Sequence, residues 1–327
     1  MKRVLVTGAF GFLGSHLAEA LLDRGDDVIL VDNFQNNVIA KDFFSKYKNL
    51  NVLTIPCSDF TSDKKIDEIY HCASVVGPAG VLPFAGRIGP LMVNDGKHMM
   101  ELAATHKARL LFVSTSEIYG RDGFFSEDVP KIVPIITSAR LEYAIGKLLC
   151  EIMLINRQRS HGDIQFNIVR PFNIAGPRQS PKGGFVLPRF LLQALHNEPL
   201  TVFGSGNQIR CFTHVLDIVS GIFAIMNSDR VNEVFNVGNP ANLTTIHDLA
   251  NLVKQITGTP AAIQKVDPKQ IYGSLYEEAF DKIPDSTKLT TAVKWQPTRS
   301  LRIVVEDTLT FYRDHPELTQ QPLAAAR

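Results

Sequence analysis

The chain of 327 residues predicts an α/β fold, in which a doubly wound parallel sheet is followed by a smaller mixed α/β C-terminal lobe. Two observations lead to this prediction. Short apolar runs alternate with helical patterns through the first half of the chain, and a glycine-rich turn directly follows the first run. Strands that alternate with helices in this way form a parallel sheet through right-handed crossovers.

Each predicted strand is a short run of β-branched or bulky apolar residues bounded by turn residues, which is typical of strands buried on both faces. The runs are Val4–Val6, Val28–Val31, Val52–Ile55, Ile69–Tyr70, Leu110–Val113 and Phe166–Val169. Helices are predicted between the runs, because apolar residues recur at helical spacing after Gly11 and again before Arg109.

The sequence pattern changes at about Pro171, where frequent prolines and glycines predict a loop-rich region. Further along, we expect a short strand at Thr201–Phe203, another at Phe235–Val237 and a capped helix at Thr245–Thr257. The last eight residues, 320–327, offer little to bury and are expected to fray.

Composition excludes several classes of protein. Apolar residues make up 45% of the chain and charged residues 20%, as in ordinary folded proteins. The net charge of +1 gives no reason to expect binding to nucleic acid or to an anionic membrane. No apolar run approaches the roughly 20 residues that span a bilayer, and the N-terminal run is too short for a signal peptide. We therefore expect a soluble, cytoplasmic protein.

The four cysteines are scattered and show no pairing typical of a metal site. They are Cys57, Cys72, Cys150 and Cys211. We expect reduced thiols in or near the core. No histidine pair has metal-ligand spacing either, so no metal is predicted.

The glycine-rich turn Thr7–Gly14 lies between the first strand and the first helix, which is the context of a Rossmann dinucleotide-binding loop. Gly8 permits the tight turn, Gly11 lets the backbone approach a pyrophosphate, and Gly14 lets the helix pack against the strand. The free N–H groups of the helix N-terminus then face the phosphates. This context predicts a dinucleotide cofactor.

Asp32 ends the second strand, 18 residues after Gly14. A carboxylate at this place accepts hydrogen bonds from the adenosine ribose and repels the 2′-phosphate of NADP. No arginine follows between Asn33 and Asn37, so NAD is favoured. Asp59, after the third strand, is a candidate for the adenine edge, although a role in the turn is as plausible.

Tyr143 and Lys147 lie four residues apart and therefore on one face of a helix. A phenol ordinarily titrates near pH 10, too high for a base at neutral pH. A neighbouring ammonium and an oxidised nicotinamide would favour the phenolate. Before this pair, the strand Leu110–Val113 runs into the hydroxyls of Ser114 and Thr115, at the carboxyl end where α/β sheets bind ligands.

Together these residues resemble the extended short-chain dehydrogenase/reductases, and within them the NAD-dependent nucleotide-sugar epimerases and dehydratases. The resemblance covers nearly the whole chain. The motifs that carry it are the glycine loop, Tyr70–Ser74, Ser114–Gly120, Tyr143 with Lys147, Arg170–Asn173, Gly176–Arg178, Thr201–Gly204, Gln208–Phe212 and Pro284–Asp285.

The resemblance implies a retained NAD that oxidises a sugar, usually at C4, with Tyr143 as base, Thr115 as its hydroxyl partner and Lys147 binding the cofactor ribose. The residues expected around the cofactor are Gly8, Phe10, Gly11, Phe12, Leu13, Gly14, Asp32, Asn33, Asp59, Ala73, Ser74, Ser114, Tyr143, Lys147 and Pro171. Those expected around the nucleotide sugar are Thr115, Asn173, Arg178, Phe203, Arg210 and Lys282. Phe203 would approach the nucleobase of the substrate, and Asn173 and Arg210 would approach its diphosphate.

The residues after Thr115 distinguish reactions within this family. Ser116 and Glu117 resemble the UDP-glucuronate decarboxylases, in which oxidation at C4 makes a β-keto acid that loses carbon dioxide. The resulting enolate needs electrostatic stabilisation and a proton at C5. Arg210 is a candidate cation, and Glu117 a candidate acid or water-holding residue. A capping or surface role remains open for Glu117, and a purely diphosphate-binding role for Arg210.

A 4-epimerase remains the alternative reading, followed by a 4,6-dehydratase, which would need a carboxylate in place of Ser116. A non-catalytic NAD-binding scaffold is disfavoured because Tyr143, Lys147 and Thr115 are all present. The product would be UDP-xylose or a UDP-4-keto-pentose. Within the nucleotide sugars, the exact sugar and nucleotide stay open.

Three departures from the family pattern surround the sugar rather than the cofactor. Val75–Val81 replaces the usual loop near the sugar, the segment Arg121–Thr137 is compact and unusual, and Lys282 stands where many relatives carry an arginine.

The resemblance also implies a homodimer, formed through helices around Lys97–Thr105 and Leu141–Arg157.

Domain boundaries follow from these motifs. We expect an NAD-binding Rossmann domain at residues 1–171, joined again by later elements near residues 212–237. Residues 172–211 and 238–327 are expected to form most of the nucleotide-sugar-binding lobe.

Overall fold

The computed structural model describes residues 1–120, 122–133, 138–273 and 281–319. The frayed end that the sequence predicts at residues 320–327 lies outside this part of the chain, as do residues 134–137 of the unusual segment.

Fifteen strands run through the described residues. They are β1 (Arg3–Thr7), β2 (Asp27–Asp32), β3 (Leu50–Thr54), β4 (Glu68–His71), β5 (Arg109–Val113), β6 (Gly123–Phe125), β7 (Gln165–Pro171), β8 (Ile174–Ala175), β9 (Leu200–Phe203), β10 (Ile209–Cys211), β11 (Thr213–His214), β12 (Glu233–Val237), β13 (Leu243–Thr245), β14 (Ile263–Val266) and β15 (Lys282–Pro284). The six strands predicted in the first half are confirmed, as are those at residues 201–203 and 235–237.

Nine α-helices accompany these strands in the described chain. They are α1 (Phe12–Asp23), α2 (Ile88–His106), α3 (Ala139–His161), α4 (Val186–Leu195), α5 (Val215–Met226), α6 (Ile246–Thr257), α7 (Pro268–Tyr272), α8 (Thr287–Val293) and α9 (Leu301–Asp314). The predicted cap of α6 is present, because the hydroxyl of Thr245 accepts a hydrogen bond from the amide of Asp248.

The central sheet holds seven parallel strands in the order β12-β7-β5-β4-β1-β2-β3. The chain winds outward from β1 in both directions, so the order reverses beside β1, and ligands bind at such switch points in α/β sheets. The predicted doubly wound α/β fold is confirmed. The late strand β12 joins this sheet beside β7, in register from Glu233 opposite Asn167 to Val237 opposite Pro171.

The carboxyl edge of the central sheet is flanked by smaller sheets built mainly from later residues. A four-stranded sheet has the order β13-β10-β15-β6, and two strand pairs join β11 to β8 and β14 to β9. A separate apolar core lies between α4, α6 and α9, with Phe190, Leu249 and Leu309 among its buried members. None of the described helices is long and apolar enough to cross a membrane.

Candidate active site

The glycine loop is closed around backbone atoms that leave no room for side chains. A Cβ on Gly14 would lie 2.0 Å from the carbonyl oxygen of Gly8, and a Cβ on Gly8 would lie 2.8 Å from the Ala73 backbone. Gly8 also has a φ of +67°, which disfavours other residues. α1 begins just after Gly11 without a side-chain cap, so its first N–H groups stay available for an anion.

Asp32 lies at the carboxyl end of β2, next to this loop. One of its carboxylate oxygens accepts a hydrogen bond from the Phe10 amide and the other from the Phe34 amide, each at 2.8 Å. Burial raises the pKa of Asp32, although these backbone donors oppose the shift. The carboxylate is therefore held rigidly at the place where the ribose of a dinucleotide binds in this fold.

Other predicted cofactor residues surround the loop in different ways. The Phe10 ring is fully buried against Phe34 and Phe44, so only its backbone can face a ligand. The Ala73 amide donates to the Thr7 hydroxyl at 3.3 Å. Asp59 is exposed at the end of a single turn, and the structure gives its side chain only a neighbouring serine as partner.

Tyr143 and Thr115 are brought together, as the sequence predicts. Tyr143 is the fifth residue of α3 and only 8% of its surface is exposed. Thr115 follows β5 and its hydroxyl accepts the amide hydrogen of Glu117 at 3.1 Å. The side chain of Thr115 lies close enough to the Tyr143 phenol to lower its pKa. The phenol and its hydroxyl partner therefore face one point at the carboxyl edge of the sheet.

The protein alone does not favour the phenolate form of Tyr143. Burial raises the pKa of Tyr143 well above its ordinary value; the nearby Thr115 side chain opposes this shift and the charge of Glu117 adds to it. Lys147 does not offset the shift, because its ammonium donates to the Val113 carbonyl at 2.8 Å and lies 4.9 Å from the centroid of the Phe112 ring. Burial also lowers the pKa of Lys147. The tyrosine therefore stays protonated unless a bound ligand adds positive charge.

Glu117 lies at the centre of a charged cluster beside Tyr143. One carboxylate oxygen accepts a hydrogen bond from Arg140 at 2.5 Å, and the other pairs with the ammonium of Lys282. Burial alone would raise the pKa of Glu117, but Arg140 and Lys282 outweigh it and hold the pKa far below its usual range. In the protein alone Glu117 is therefore held as a carboxylate, and its role as an acid or a water-holding residue stays a prediction.

Lys282 reaches this cluster from β15, where its register partner on β10 is Arg210. Both residues are buried. Burial lowers the pKa of Lys282 to about 8; Glu117 opposes this shift, whereas Arg140 and Arg210 add to it. Among the described residues, Arg140, Lys282 and Arg210 thus lie in one charged region with the Glu117 carboxylate.

A buried network behind Thr115 was missed by the sequence reasoning. The Ser114 hydroxyl donates to Glu151 at 2.5 Å, and Arg170 binds the two oxygens of the same carboxylate at 3.0 and 2.6 Å. Glu151 lies one turn beyond Lys147 on α3. The network thereby ties β5, β7 and α3 together. The Ser114 hydroxyl is engaged inside the protein rather than toward the crevice, and the four-residue spacing after Lys147 is the signal that could have pointed to Glu151.

Two predicted substrate residues have unexpected surroundings. Arg178 pairs with Glu19 of α1 at 2.5 Å and lies over the Phe43 ring, so its guanidinium is directed to the first helix and not to Tyr143. Phe203 lies beneath Arg189, whose guanidinium carbon is 3.7 Å from the ring centroid. The sequence pattern did not predict this contact of Arg189, because an arginine within an apolar helix usually lies at the surface.

Asn173 and Ser116 complete the predicted set. Asn173 has a φ of +37°, and its amide nitrogen donates to the Cys211 carbonyl at 3.4 Å. This bond holds it close to Arg210. Ser116 is buried between Thr115 and Glu117. The four cysteines form no disulfide, and the described residues contain no group of three or more histidine, cysteine or acidic side chains arranged to hold a metal.

Comparison with known proteins agrees with this geometry. Residues 4–238 match the NAD dependent epimerase/dehydratase family. The chain belongs to this family. The resemblance inferred from the sequence motifs and the choice of NAD as cofactor are thereby confirmed.

The relatives include several decarboxylases. The chain is 32% identical to the UDP-N-acetyl-alpha-D-glucosaminuronate decarboxylase of Bacillus cytotoxicus, over 96% of this chain and 98% of that protein. It is also 32% identical to UDP-glucuronic acid decarboxylase 1 of Xenopus tropicalis, over 97% of this chain and 73% of that protein.

Among solved structures, the UDP-glucuronic acid 4-epimerase of Bacillus cereus, in complex with UDP-glucuronic acid and NAD, superposes with a TM-score of 0.82 at 26% identity. The match covers 95% of this chain and 99% of the epimerase. The fold is therefore shared by family members with different reactions, and the reaction must be argued from the site.

Proposed function

We propose that the protein decarboxylates UDP-glucuronate through a transient C4-keto sugar. The observation that carries this proposal is the cluster of Glu117, Arg140 and Lys282 beside Tyr143. Arg140 and Lys282, with Arg210 on the neighbouring strand, are cationic groups of the kind that bind a sugar carboxylate. The decarboxylases among the relatives support the same reading.

The residues present fit NAD. The tight glycine turn, the uncapped start of α1 and the fixed carboxylate of Asp32 form the expected cradle for its pyrophosphate and adenosine ribose. Bound NAD supplies a hydride acceptor and, when oxidised, positive charge near Tyr143. That charge provides what Tyr143 lacks in the protein alone.

In the proposed reaction, Tyr143 accepts the proton of the C4 hydroxyl while Thr115 orients that oxygen. The hydrogen on C4 would leave as a hydride to the acceptor that bound NAD supplies, which makes C4 a ketone. The carboxylate at C6 then leaves as carbon dioxide, because the electron pair of the C5–C6 bond moves into the C4 carbonyl system. Lys282 and Arg140 stabilise the charge that develops there. A proton from solvent is added at C5. If C4 then takes back the hydride and its oxygen takes back the proton from Tyr143, the product would be UDP-xylose; release of the sugar before that step would give a UDP-4-keto-pentose.

The test is to incubate purified protein and NAD with UDP-glucuronate labelled at C6. Carbon dioxide release together with a UDP-pentose supports the proposal, and UDP-N-acetylglucosaminuronate tested in parallel identifies the preferred uronate. Formation of UDP-galacturonate without carbon dioxide would overturn it in favour of the 4-epimerase, the alternative that the Bacillus cereus structure favours.

We further propose that residues 172–211 and 238–327 form most of the nucleotide-sugar lobe, with Asn173 and Arg210 near the diphosphate and Phe203 near the base. The support is the placement of β10 and β15 beside Tyr143. Binding of UDP alone to wild type and to an Arg210→Met variant, measured by calorimetry, tests this assignment. Unchanged affinity would contradict it.

We also propose a cytoplasmic homodimer. α2 and α3 border a groove of about 750 Å³, and apolar side chains on or beside it are 42–49% exposed. These residues are Leu91, Ile145, Leu149 and Ile152. A second copy of the same surface would bury them. Light scattering that gives a monomer would contradict the dimer.

A further inference from the structure

The start of α2 is capped by a side chain from another helix. Arg87, at the N-cap position, makes no side-chain capping bond, and the first turn of α2 contains no acidic residue. Instead, Glu142 of α3 accepts hydrogen bonds from the Gly86 amide at 2.6 Å and the Gly89 amide at 3.0 Å. Because a helix start carries free N–H groups and partial positive charge, a carboxylate binds well there.

This cap is connected to the active site through the chain itself, because Glu142 immediately precedes Tyr143. The helices are close at this point: a Cβ on Gly146 would lie 3.3 Å from the Cα atom of Gly89. The Glu142 carboxylate is thus held between the catalytic helix and the backbone that leads into α2. Any movement of that backbone changes the surroundings of Tyr143.

The segment that ends at this cap, residues 75–87, is termed the wall loop. Its residue Leu82 packs with the cluster around Tyr143 and also with the cluster around Phe203. On its other side, the Ala79 amide donates to the Gly183 carbonyl at 3.2 Å. The wall loop therefore connects the surroundings of Tyr143 with the nucleobase site proposed at Phe203. It includes Val75–Val81, the segment that departs from the family pattern.

We propose that Glu142 is a positioning residue: by fixing the wall loop to α3, it sets how the nucleotide sugar is presented to Tyr143. The inference rests on the proposed function, since it concerns the same site. Glu142 touches none of the reacting groups. Its loss leaves Tyr143 and the cofactor cradle intact, while the wall loop and the start of α2 are released from α3.

The test uses Glu142→Gln, which keeps the size of the side chain but turns an NH₂ group toward a backbone N–H. We expect hydrogen exchange at the amides of residues 79–89 to accelerate about tenfold, because a charge-assisted hydrogen bond contributes roughly a tenfold or larger equilibrium factor. The KM for UDP-glucuronate should rise about tenfold while kcat changes less than threefold. The amount of bound NAD should not change.

Glu306→Gln is the matched control, because Glu306 on α9 is half-buried, far in the chain from the site, and forms its ion pair with Arg302 in the next turn back. It should change neither exchange nor kinetics. If Glu142→Gln does not fold, Glu142→Asp keeps the charge and should show the same KM-specific change at smaller size. Unchanged exchange at residues 79–89, or faster exchange with an unaltered KM, overturns the proposal. If the wild-type protein turns over no uronate, the proposed function is refuted instead. The exchange measurement still reports whether Glu142 holds the wall loop.

Discussion

The cofactor side and the sugar side of the site are built by different means. On the cofactor side, glycines and backbone amides form a loop so tight that Gly14 leaves no space for a Cβ. On the sugar side, long charged side chains from α3, β10 and β15 meet around Glu117. The first design depends on local sequence and suits one ligand. The second depends on residues far apart in the chain and can be altered one side chain at a time.

The largest effect should come from Tyr143→Phe, which removes the proposed base where the two sides meet. Loss of a general base typically costs 10²–10⁴-fold in rate, so turnover of UDP-glucuronate should fall by at least about 10²-fold. NAD should stay bound, because the cradle around Gly8 and Asp32 is untouched. Steady-state kinetics and the absorbance of extracted NAD measure both. Near-normal turnover would show that another group is the base.

A similar loss, confined to the sugar side, is expected for Lys282→Met. This change removes one cation and leaves Glu117 with Arg140 alone. Turnover should fall about 10²–10³-fold, the usual cost of removing one charge-stabilising donor, with NAD binding unchanged. Lys282→Arg is the matched control and should keep most of the activity, because it restores the charge. If the methionine variant is as active as wild type, the charged cluster has no part in the reaction.

Gly14→Ala should weaken the cofactor side in turn. Its Cβ would lie 2.0 Å from the Gly8 carbonyl oxygen, and overpacking of this kind costs about 1–3 kcal/mol. We expect NAD affinity, measured by calorimetry, to fall about tenfold or more. Turnover at saturating NAD should stay close to that of the wild type. Gly25→Asn is a control, because nothing lies within 4 Å of a Cβ at Gly25 and asparagine tolerates the left-handed backbone there. Unchanged NAD affinity in Gly14→Ala would contradict the close approach.

The smallest effect concerns pH. The pKa of Lys282 is lowered to about 8, and Glu117, Arg140 and Arg210 face it. A lysine loses its charge as the pH rises through its pKa, so kcat/KM should decline above about pH 8. In Lys282→Arg this decline should move to higher pH, because arginine stays protonated. A pH profile of kcat/KM for both proteins tests this. An identical alkaline limb in the two would assign the titration to another group.

Much of the fold could be predicted from the sequence because it depends on local patterns. Six strands and the loop at Gly8–Gly14 follow from apolar runs and glycine spacing alone, although β3, at the edge of the sheet, has no buried residue. The pairing of Tyr143 with Thr115 followed from the motif order. By contrast, the pairing of Lys282 with Glu117 depends on how β15 lies beside β10, which no local pattern encodes.

The side-chain contacts that the sequence did not predict have the same origin. Arg178 follows a motif that suggests a substrate contact, but tertiary packing directs it to Glu19. The pKa of Tyr143 depends on burial, and the position of the Lys147 ammonium depends on the Val113 carbonyl. Side-chain partners across the sheet and the cost of desolvation are properties of the folded chain. A sequence pattern predicts which residues are present, but not which of their neighbours they face.

The most direct test of the charged cluster is a crystal structure of the Tyr143→Phe variant with NAD and UDP-glucuronate, in which turnover is blocked. We predict that the C4 hydroxyl of the sugar lies against the ring of residue 143 and the hydroxyl of Thr115. The C6 carboxylate should lie within hydrogen-bond distance of Lys282 or Arg140. A carboxylate that points to solvent, with Lys282 still bound only to Glu117, would contradict it.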